Sequence, residues 1–373
     1  MKKKLLFLTV KFDTGGTEKV TYDIITRLDP EKYDITLMSM YGGGYYWDHL
    51  PPHIHRKYFF PKFIRYVIRY VTCFPGRMVY RTFIKDKYDV EVACGDDIPS
   101  RVINHSVNPH SRKIAWIHMD VQERGYQGYE IRTEKGRKAF YRNFHHIVNV
   151  SQECRRKFCE KFGEDLPACV IYNPVPAGEI LERAAQMPEL LLPAEGFRIV
   201  CMGRFTPQKG FDRLLDALSE LRKRGIGGFH VTILGDGYQR QILEEQVRDY
   251  GLEDVVDMPG YVDNPYAIIR QADLFALTSR DESFSLAVAE AMVLGIPVMS
   301  TRCTGPVELL KNGEAGCLTD NSTEGILEGL ERILTDSAYR QELREKAMAN
   351  TNNFDIDAQI ATVEALIDGQ WSA

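Results

Sequence analysis

Short apolar β-type runs alternate with helical stretches along the whole chain, and two prolines break the alternation once, within Ile171-Tyr172-Asn173-Pro174-Val175-Pro176. Alternating strand and helix patterns argue for βα units and parallel sheets, so the chain reads as α/β. Before the break the strand candidates are Lys4–Val10, Ile35–Met40, Val90–Cys94, Lys113–Ile117 and His146–Val150. After it they are Arg198–Met202, His230–Leu234, Val255–Met258, Leu274–Leu277 and Pro297–Ser300. Proline fixes φ and lacks an amide donor, so the two prolines end any helix and stiffen the connection. A hinge is expected there, dividing a domain over residues 1–175 from a second over 176–350, with a C-terminal segment over 351–373. Thr323–Thr335 and Ser337–Asn350 read as helices, and the last segment carries Phe354 and Trp371.

Two domains also fit the size, since 373 residues is about twice a common domain length. With 44% hydrophobic and 27% charged residues the chain can bury sizeable cores, and it is neither a disordered polyampholyte nor a fibre. Apolar runs such as Ile114–Ile117 and Leu286–Val293 fall far short of the roughly 18 residues of a membrane-spanning helix. Met1-Lys2-Lys3-Lys4 looks like a signal n-region, but Leu5–Val10 runs into Lys11 and Asp13 without a small-residue cleavage site and reads as a first strand. Eight cysteines occur without a CxxC pair, several inside strand-like runs, which fits reduced thiols in a cytoplasm. Neither His53/His55 nor His145/His146 has companions at zinc-ligand spacing, so no metal and no cofactor are expected.

The net charge of −5 conceals an asymmetry. Residues 1–180 hold 29 Lys+Arg against 21 Asp+Glu, a balance of +8, and the remainder holds 18 against 31, a balance of −13. A basic half invites an anionic partner. Its densest part is Arg56–Lys87, where aromatic and aliphatic residues lie between the cations and Asp86 is the single acid. Arg65 and Arg69 are four apart, as are Arg77 and Arg81, so on helices each pair shares a face. That pattern suits an anionic membrane surface or an acceptor. A solvated helix face over an ordinary core is the plainer alternative. Nucleic acid is a weaker one, because no RNA- or DNA-binding motif accompanies the stretch.

Three loops carry candidate chemistry. The first strand ends in Phe12-Asp13-Thr14-Gly15-Gly16-Thr17-Glu18, ahead of a helix expected from near Lys19. Paired glycines at such a junction let backbone amides approach an anion, and the helix dipole favours the charge. Past the break, Cys201-Met202-Gly203-Arg204-Phe205-Thr206-Pro207-Gln208-Lys209-Gly210 follows a strand directly. Arg204 and Lys209, five apart around a Gly/Pro loop, can hold a diphosphate where open α/β sheets bind ligands. The third loop is Asp281-Glu282-Ser283-Phe284-Ser285-Leu286-Ala287-Val288-Ala289-Glu290. With a helix starting near Phe284, Glu282 sits in the loop and Glu290 about two turns in, near the same edge. Such acids can bond sugar hydroxyls while the amides of Ser283–Leu286 face a phosphate. On spacing alone, a glutamate complementing the dipole plus an ordinary helix acid is the simpler account.

Taken in order, the chain resembles a family 4 glycosyltransferase over essentially its whole length. The resemblance rests on Gly15-Gly16, Trp116-Ile117-His118, Val150-Ser151, the Ile171–Val175 linker, the Gly203–Gly210 loop, Leu234-Gly235-Asp236-Gly237, the glutamate pair and Gly305-Pro306-Val307-Glu308. It implies the GT-B fold: two Rossmann-like domains with parallel sheets facing across a cleft, and a C-terminal segment returning to the first domain. It also implies retaining, metal-independent transfer of a hexose or N-acetylhexosamine from a nucleotide sugar, uridine diphosphate being the commonest nucleotide. The acceptor would be a hydroxyl of a lipid-linked or glycan molecule in polysaccharide or glycolipid assembly.

By the same resemblance Arg204 and Lys209 bind the donor diphosphate, Glu282 contacts hydroxyls of the transferred sugar, and Glu290 holds the ribose. Gly16, beside Gly15, approaches the diphosphate, and His118 lies near the transferred sugar. Gly203, Asp236, Ser283, Phe284, Ser285 and Leu286 complete the expected donor site, although Asp236 and Glu308 read more simply as structural, since Asp-Gly favours turns. Ser283 and Ser285 stand where many members have smaller or imino residues, a departure that leaves their amides usable. If Arg65, Arg69, Arg77 and Arg81 touch lipid, the chain sits peripherally on the cytoplasmic face of a membrane. A nucleotide-sugar 2-epimerase of the same fold and a non-catalytic membrane-associated scaffold are the alternatives.

Overall fold

The computed structural model describes residues 2–64, 71, 73–95, 98–119, 134–351 and 354–371. Contacts divide the chain into two units, Met1–Pro174 with Asp357–Ala373, and Val175–Ile356.

In the first unit the described strands are β1 (Lys3–Thr9), β2 (Tyr33–Tyr41), β3 (His55–Phe60), β4 (Val90–Cys94), β5 (Arg112–Ile117), β6 (His146–Asn149) and β7 (Ala168–Val170). They form one parallel sheet in the order β3-β2-β1-β4-β5-β6-β7. Successive side chains of a strand point to opposite faces. Leu6 and Leu8 of β1 therefore enter a core with Met38, Met40, Ala93, Ala115 and Phe158, while Leu5 and Phe7 are buried on the other side. Burial on both faces is why the inner strands read as continuous apolar runs.

In the second unit the strands are β8 (Phe197–Met202), β9 (Phe229–Leu234), β10 (Val256–Gly260), β11 (Leu274–Leu277), β12 (Val298–Thr301) and β13 (Cys317–Thr319). This sheet is also parallel, in the order β10-β9-β8-β11-β12-β13. Ile199, Cys201, Val231, Ile233 and Ala276 face one core, against Leu214 and Leu218 of the helix Phe211–Lys223 and Leu330 of Thr323–Thr335. Val200, Leu234, Phe275 and Leu277 face the other, against Val288 and Met292 of the helix Leu286–Val293. Each fully buried Val, Leu, Ile, Met or Phe among them contributes on the order of 1.5–3 kcal/mol.

Three strands escape the sequence reading, and all three are sheet edges: β3, β7 and β13. An edge strand is half solvated and short, so it lacks an uninterrupted apolar run. The β3 strand takes up the start of the basic stretch Arg56–Lys87 as a charged edge strand, with His55 and Arg56 exposed. The helix Gly76–Phe83 buries Val79 and Tyr80 and leaves Arg77 and Arg81 exposed, while Arg65 and Arg69 lie outside the described residues. The first helix starts at Gly16 rather than near Lys19.

The C-terminal helix Ile356–Asp368 packs within the first unit from Asp357 onward. Its Asp368 accepts from Tyr33 Oη at 3.1 Å and from Lys3 Nζ, its Glu364 accepts from Lys32 Nζ at 3.2 Å, and Arg112 Nη1 donates to Leu366 O at 3.1 Å. The Trp371 ring stands edge-on to His146 at 6.2 Å. Among the described residues no helix is long and apolar enough to cross a membrane.

Candidate functional site

Strand order reverses between β8 and β11 in the second sheet, and open α/β sheets bind ligands outside the carboxyl ends of strands at such a point. The loops that follow these two strands are Gly203–Gly210 and the segment from Thr278 to Ser285. They are tied together by Thr278 Oγ1 donating to Lys209 O at 3.1 Å, Arg280 N to Gln208 O at 2.7 Å, and Gln208 Nε2 to Asp281 O at 2.9 Å. Gly210 has φ +66°, and a Cβ there would lie 2.1 Å from Thr278 O, so only glycine admits this approach. Gly305 works the same way without special φ: a Cβ would meet the Phe284 backbone at 2.3 Å, and Gly305 N donates to Glu282 O at 2.8 Å.

Lys209 Nζ donates to Glu282 Oε1, and Ser279 Oγ donates to the same oxygen at 2.8 Å. Glu282 is only 8% exposed. The sequence reading aims Lys209 at a diphosphate; here its ammonium is engaged by the neighbouring glutamate. Arg204 is exposed, and among the described residues nothing bonds its guanidinium. Ser283 and Phe284 are buried.

The helix carrying the second glutamate begins at Leu286, two residues later than expected. Glu290 is therefore its fifth residue, just over one turn in rather than two. It is buried and accepts from Tyr266 Oη at 3.1 Å. Ser285 precedes the helix at φ +73°, a left-handed conformation uncommon for a residue with a side chain. Its buried Oγ has no hydrogen-bond partner among the described residues. Asp236, after β9, accepts from Gly237 N at 2.7 Å and Arg240 Nε at 2.9 Å, and Arg240 holds its carboxyl below the usual range. Its carboxylate is thus committed to its own turn, while its backbone O accepts from Phe205 N at 2.9 Å.

Sequence reasoning passed over the groups that brace this edge. Arg280 grips Asp212 through two bonds of 2.8 and 2.6 Å, and Arg213 Nη2 donates to Thr278 O at 2.8 Å and Asn321 Oδ1 at 2.9 Å. The available signal was Thr278-Ser279-Arg280 standing directly after a strand.

In the first sheet the reversal lies between β1 and β4. Gly15 and Gly16 follow β1, Gly16 opening the helix Gly16–Ile25, and His118 follows β5 at the same edge. Asp13 Oδ1 accepts from Tyr45 N at 3.1 Å, which brings in a second glycine loop, Gly42–Gly44 after β2, that sequence reasoning did not use. The His118 ring stacks at 6.3 Å on Trp116, and surrounding protein desolvates it, lowering its pKa to about 4 although part of its surface stays open. Its imidazole is neutral near pH 7.

Residues 182–350 match the family described as Glycosyl transferases group 1. The lipopolysaccharide core biosynthesis glycosyltransferase LpsE of Rhizobium meliloti is 31% identical over 178 residues, 48% of this chain and 50% of that protein. The amylovoran biosynthesis glycosyltransferase AmsD of Erwinia amylovora is 23% identical over 368 residues, covering 95% of this chain and 96% of its own. The chain spans about half the length or less of several other curated relatives it matches. Among solved structures, Anabaena HepE in complex with UDP and glucose superposes with a TM-score of 0.77 at 19% identity, over 98% of this chain and 100% of its own. The two parallel sheets are those of the GT-B fold, and residues 182–350, a little under half of the chain, are similar to the glycosyl transferases group 1 family.

Proposed function

We propose that the chain is a retaining glycosyltransferase that moves a hexose or N-acetylhexosamine from a nucleoside-diphosphate sugar, with uridine diphosphate first among the nucleotides, to a hydroxyl of a lipid-linked or glycan acceptor in polysaccharide or glycolipid assembly. The observation that carries this reading is the meeting of Lys209 and Glu282 where the loops after β8 and β11 adjoin. Relatives named for lipopolysaccharide core and amylovoran biosynthesis support the class, and a neighbour holding UDP and glucose supports the donor.

Breaking the bond between sugar and diphosphate leaves negative charge on phosphate and oxocarbenium character on the sugar. Preorganised cations and amides stabilise the former. Arg204, open to solvent, and Lys209 take the leaving diphosphate together with the amides that open the helix Leu286–Val293. These cations do the work a divalent metal would otherwise do, so transfer proceeds in EDTA. The described bonds of Glu282 both use Oε1, which leaves Oε2 for a hydroxyl of the transferred sugar. Glu290 holds the ribose. The resemblance assigns Gly16 to the diphosphate and His118 to the sugar, where a neutral imidazole serves as a hydrogen-bonding group rather than a charge. Attack comes from the leaving-group face, with a donor phosphate oxygen receiving the acceptor's proton. Glu282 is a binding group and no nucleophile, unlike the paired carboxylates that flank one bond in hydrolases.

The exposed face of Gly76–Phe83, with Arg77, Met78 and Arg81 near exposed Phe74, supports peripheral contact with an anionic membrane on its cytoplasmic side. The test of the whole reading is thermal stabilisation across nucleotides and nucleotide sugars in EDTA, because a ligand that binds the folded state raises its melting temperature. A selective shift with one nucleoside diphosphate and its sugar is expected. Formation of a new epimer without acceptor would mark an epimerase instead, and no shift with any nucleotide would favour a scaffold.

A further inference from the structure

We propose that a cavity of about 640 Å³ in the first unit, at the edge where β4, β5 and β6 begin, binds a phosphorylated polyol through Arg77, Lys113 and Arg142. This goes beyond the transferase reading and does not depend on it. Gly15, Gly16 and His118 follow strand ends, so the cavity lies at the opposite edge of the same sheet.

Separate segments converge here. Arg77 comes from the helix Gly76–Phe83, His105 from the turn after the helix Ile98–Asn104, Lys113 from the start of β5, and Arg142 and His145 from the turn before β6. The approach of the first two is close, since a Cβ on Gly76 would lie 2.5 Å from the His105 ring. No carboxylate is among the lining residues, and among the described residues no ion pair engages Arg77 or Lys113. Arg142 alone is shared, donating to Asp165 at 2.6 Å.

Behind the wall lies Glu91, fully buried, accepting from Tyr80 Oη at 2.7 Å and Ser106 Oγ at 3.1 Å. Burial raises its pKa, and the charge of Lys113 acts in the opposite sense. The lining itself carries three cations, Arg77, Lys113 and Arg142, and no acid, so it is basic. Burial and then the charges of Lys113 and Arg112 lower the pKa of His145, while Lys113 itself is lowered by desolvation.

An anion of more than one charge relieves this repulsion, and phosphate oxygens suit several donors at once. The imidazoles fit as well. Lys113 N donates to His145 Nδ1 at 3.0 Å, so the neutral ring carries its proton on Nε2 as a donor. His105 Nδ1 donates to Arg101 O at 2.9 Å, so in the neutral ring Nε2 accepts from a hydroxyl. The cavity, on the order of twenty water volumes, has room for a polyol attached to the phosphate. Asn108 Nδ2 donates to Tyr88 O at 2.8 Å and Asn143 Nδ2 to Asn104 Oδ1 at 3.2 Å, and each amide keeps a second N–H for the hydroxyls of an attached polyol. The phosphorylated polyol is either a soluble sugar phosphate or a lipid headgroup.

The full chain is titrated calorimetrically with glycerol 3-phosphate and glucose 1-phosphate, and sedimented with phosphatidylcholine vesicles with and without phosphatidic acid or phosphatidylserine of matched charge. The variants are Arg77→Ser, Arg77→Ser/Lys113→Gln and Arg204→Ser. Saturable binding is expected to weaken about tenfold in Arg77→Ser, the order of one lost charge-assisted bond, further in the double variant, and not at all in Arg204→Ser. Binding in the soluble arm assigns a sugar phosphate, and binding to phosphatidic-acid vesicles that phosphatidylserine vesicles of matched charge do not reproduce assigns a headgroup; equal binding to both reports the anionic membrane contact of the helix Gly76–Phe83 and overturns the cavity site. Binding that survives both pocket variants, binding lost in Arg204→Ser, or none in either arm overturns the proposal. Arg77 is an exposed helix residue, so its single variant reads out even if the β5 substitution impairs folding. Because Arg204 belongs to the proposed donor site, the two readings fail separately.

Discussion

Lys209 and Glu282 stand 73 positions apart, yet Lys209 Nζ donates to the Glu282 oxygen that also accepts from Ser279 Oγ at 2.8 Å. Removing one partner of a largely buried pair leaves a desolvated charge, which costs more than the pair itself contributes. Lys209→Met should therefore lower the stability of the second unit by about 1–3 kcal/mol. Adding Glu282→Gln to it should recover much of that loss. A double variant no more stable than Lys209→Met in thermal unfolding would show that Glu282 is not desolvated by its surroundings.

The same pair sets how the two halves of the donor site respond to substitution. Glu282→Ala frees the Lys209 ammonium, so UDP affinity should hold or tighten while transfer falls at least about a hundredfold. Arg204→Ala removes an unengaged cation and should weaken UDP about tenfold. Calorimetric UDP titrations and a transfer assay separate the roles; equal losses of UDP affinity in both variants would contradict them.

Gly210 and Gly225 both have positive φ, +66° and +75°, but only at Gly210 would a Cβ collide, 2.1 Å from Thr278 O; at Gly225 nothing lies within 4 Å. Gly225→Ala should cost about 1 kcal/mol, the left-handed penalty alone. Gly210→Ala should cost several times more and pull the two site loops apart, abolishing nucleotide-induced stabilisation. Similar melting temperatures for the two variants would mean that the loops do not adjoin as closely as 2.1 Å implies.

How far the sequence reveals this depends on what kind of force sets each feature. Inner strands such as Leu274–Leu277 are buried on both faces and announce themselves as apolar runs, whereas Cys317–Thr319 and Ala168–Val170 are three-residue edges whose existence depends on a neighbour's hydrogen bonds. The Gly203–Gly210 loop is legible because glycine and proline punctuate a strand end. Its pairing with Glu282 is not, because nothing local states that β8 lies beside β11. Asp236, in the expected donor site, reads more simply as a turn residue, and Arg240, four residues on, engages its carboxylate. The later start of the helix at Leu286 follows from the left-handed backbone of Ser285, a conformation that a serine does not advertise.

His118 should make the first unit's stability fall with acidity. Its folded pKa, lowered by desolvation to about 4, lies below the unfolded value of about 6.5. Between these values the unfolded chain binds more protons, so stability rises with pH across that window and is withdrawn as pH falls through it. His118→Gln should flatten the dependence of melting temperature between pH 6.5 and about 4, leaving the contributions of His145 and His146, which are lowered in the same sense. An unchanged slope in the variant would place the His118 imidazole in contact with water.

Ser285 joins strain to an open valence: φ is +73°, and its Oγ is buried without a partner among the described residues. Glycine adopts this conformation without penalty, while a β-branched side chain resists it most. Ser285→Gly should therefore raise the melting temperature of the ligand-free protein, and Ser285→Val should lower it. If the hydroxyl is held there to meet the donor's phosphate, Ser285→Gly should also bind UDP more weakly than wild type while being more stable, a combination that simple loss of packing does not produce. Stability and UDP affinity both rising in Ser285→Gly would show that the strained serine serves neither the fold nor the donor.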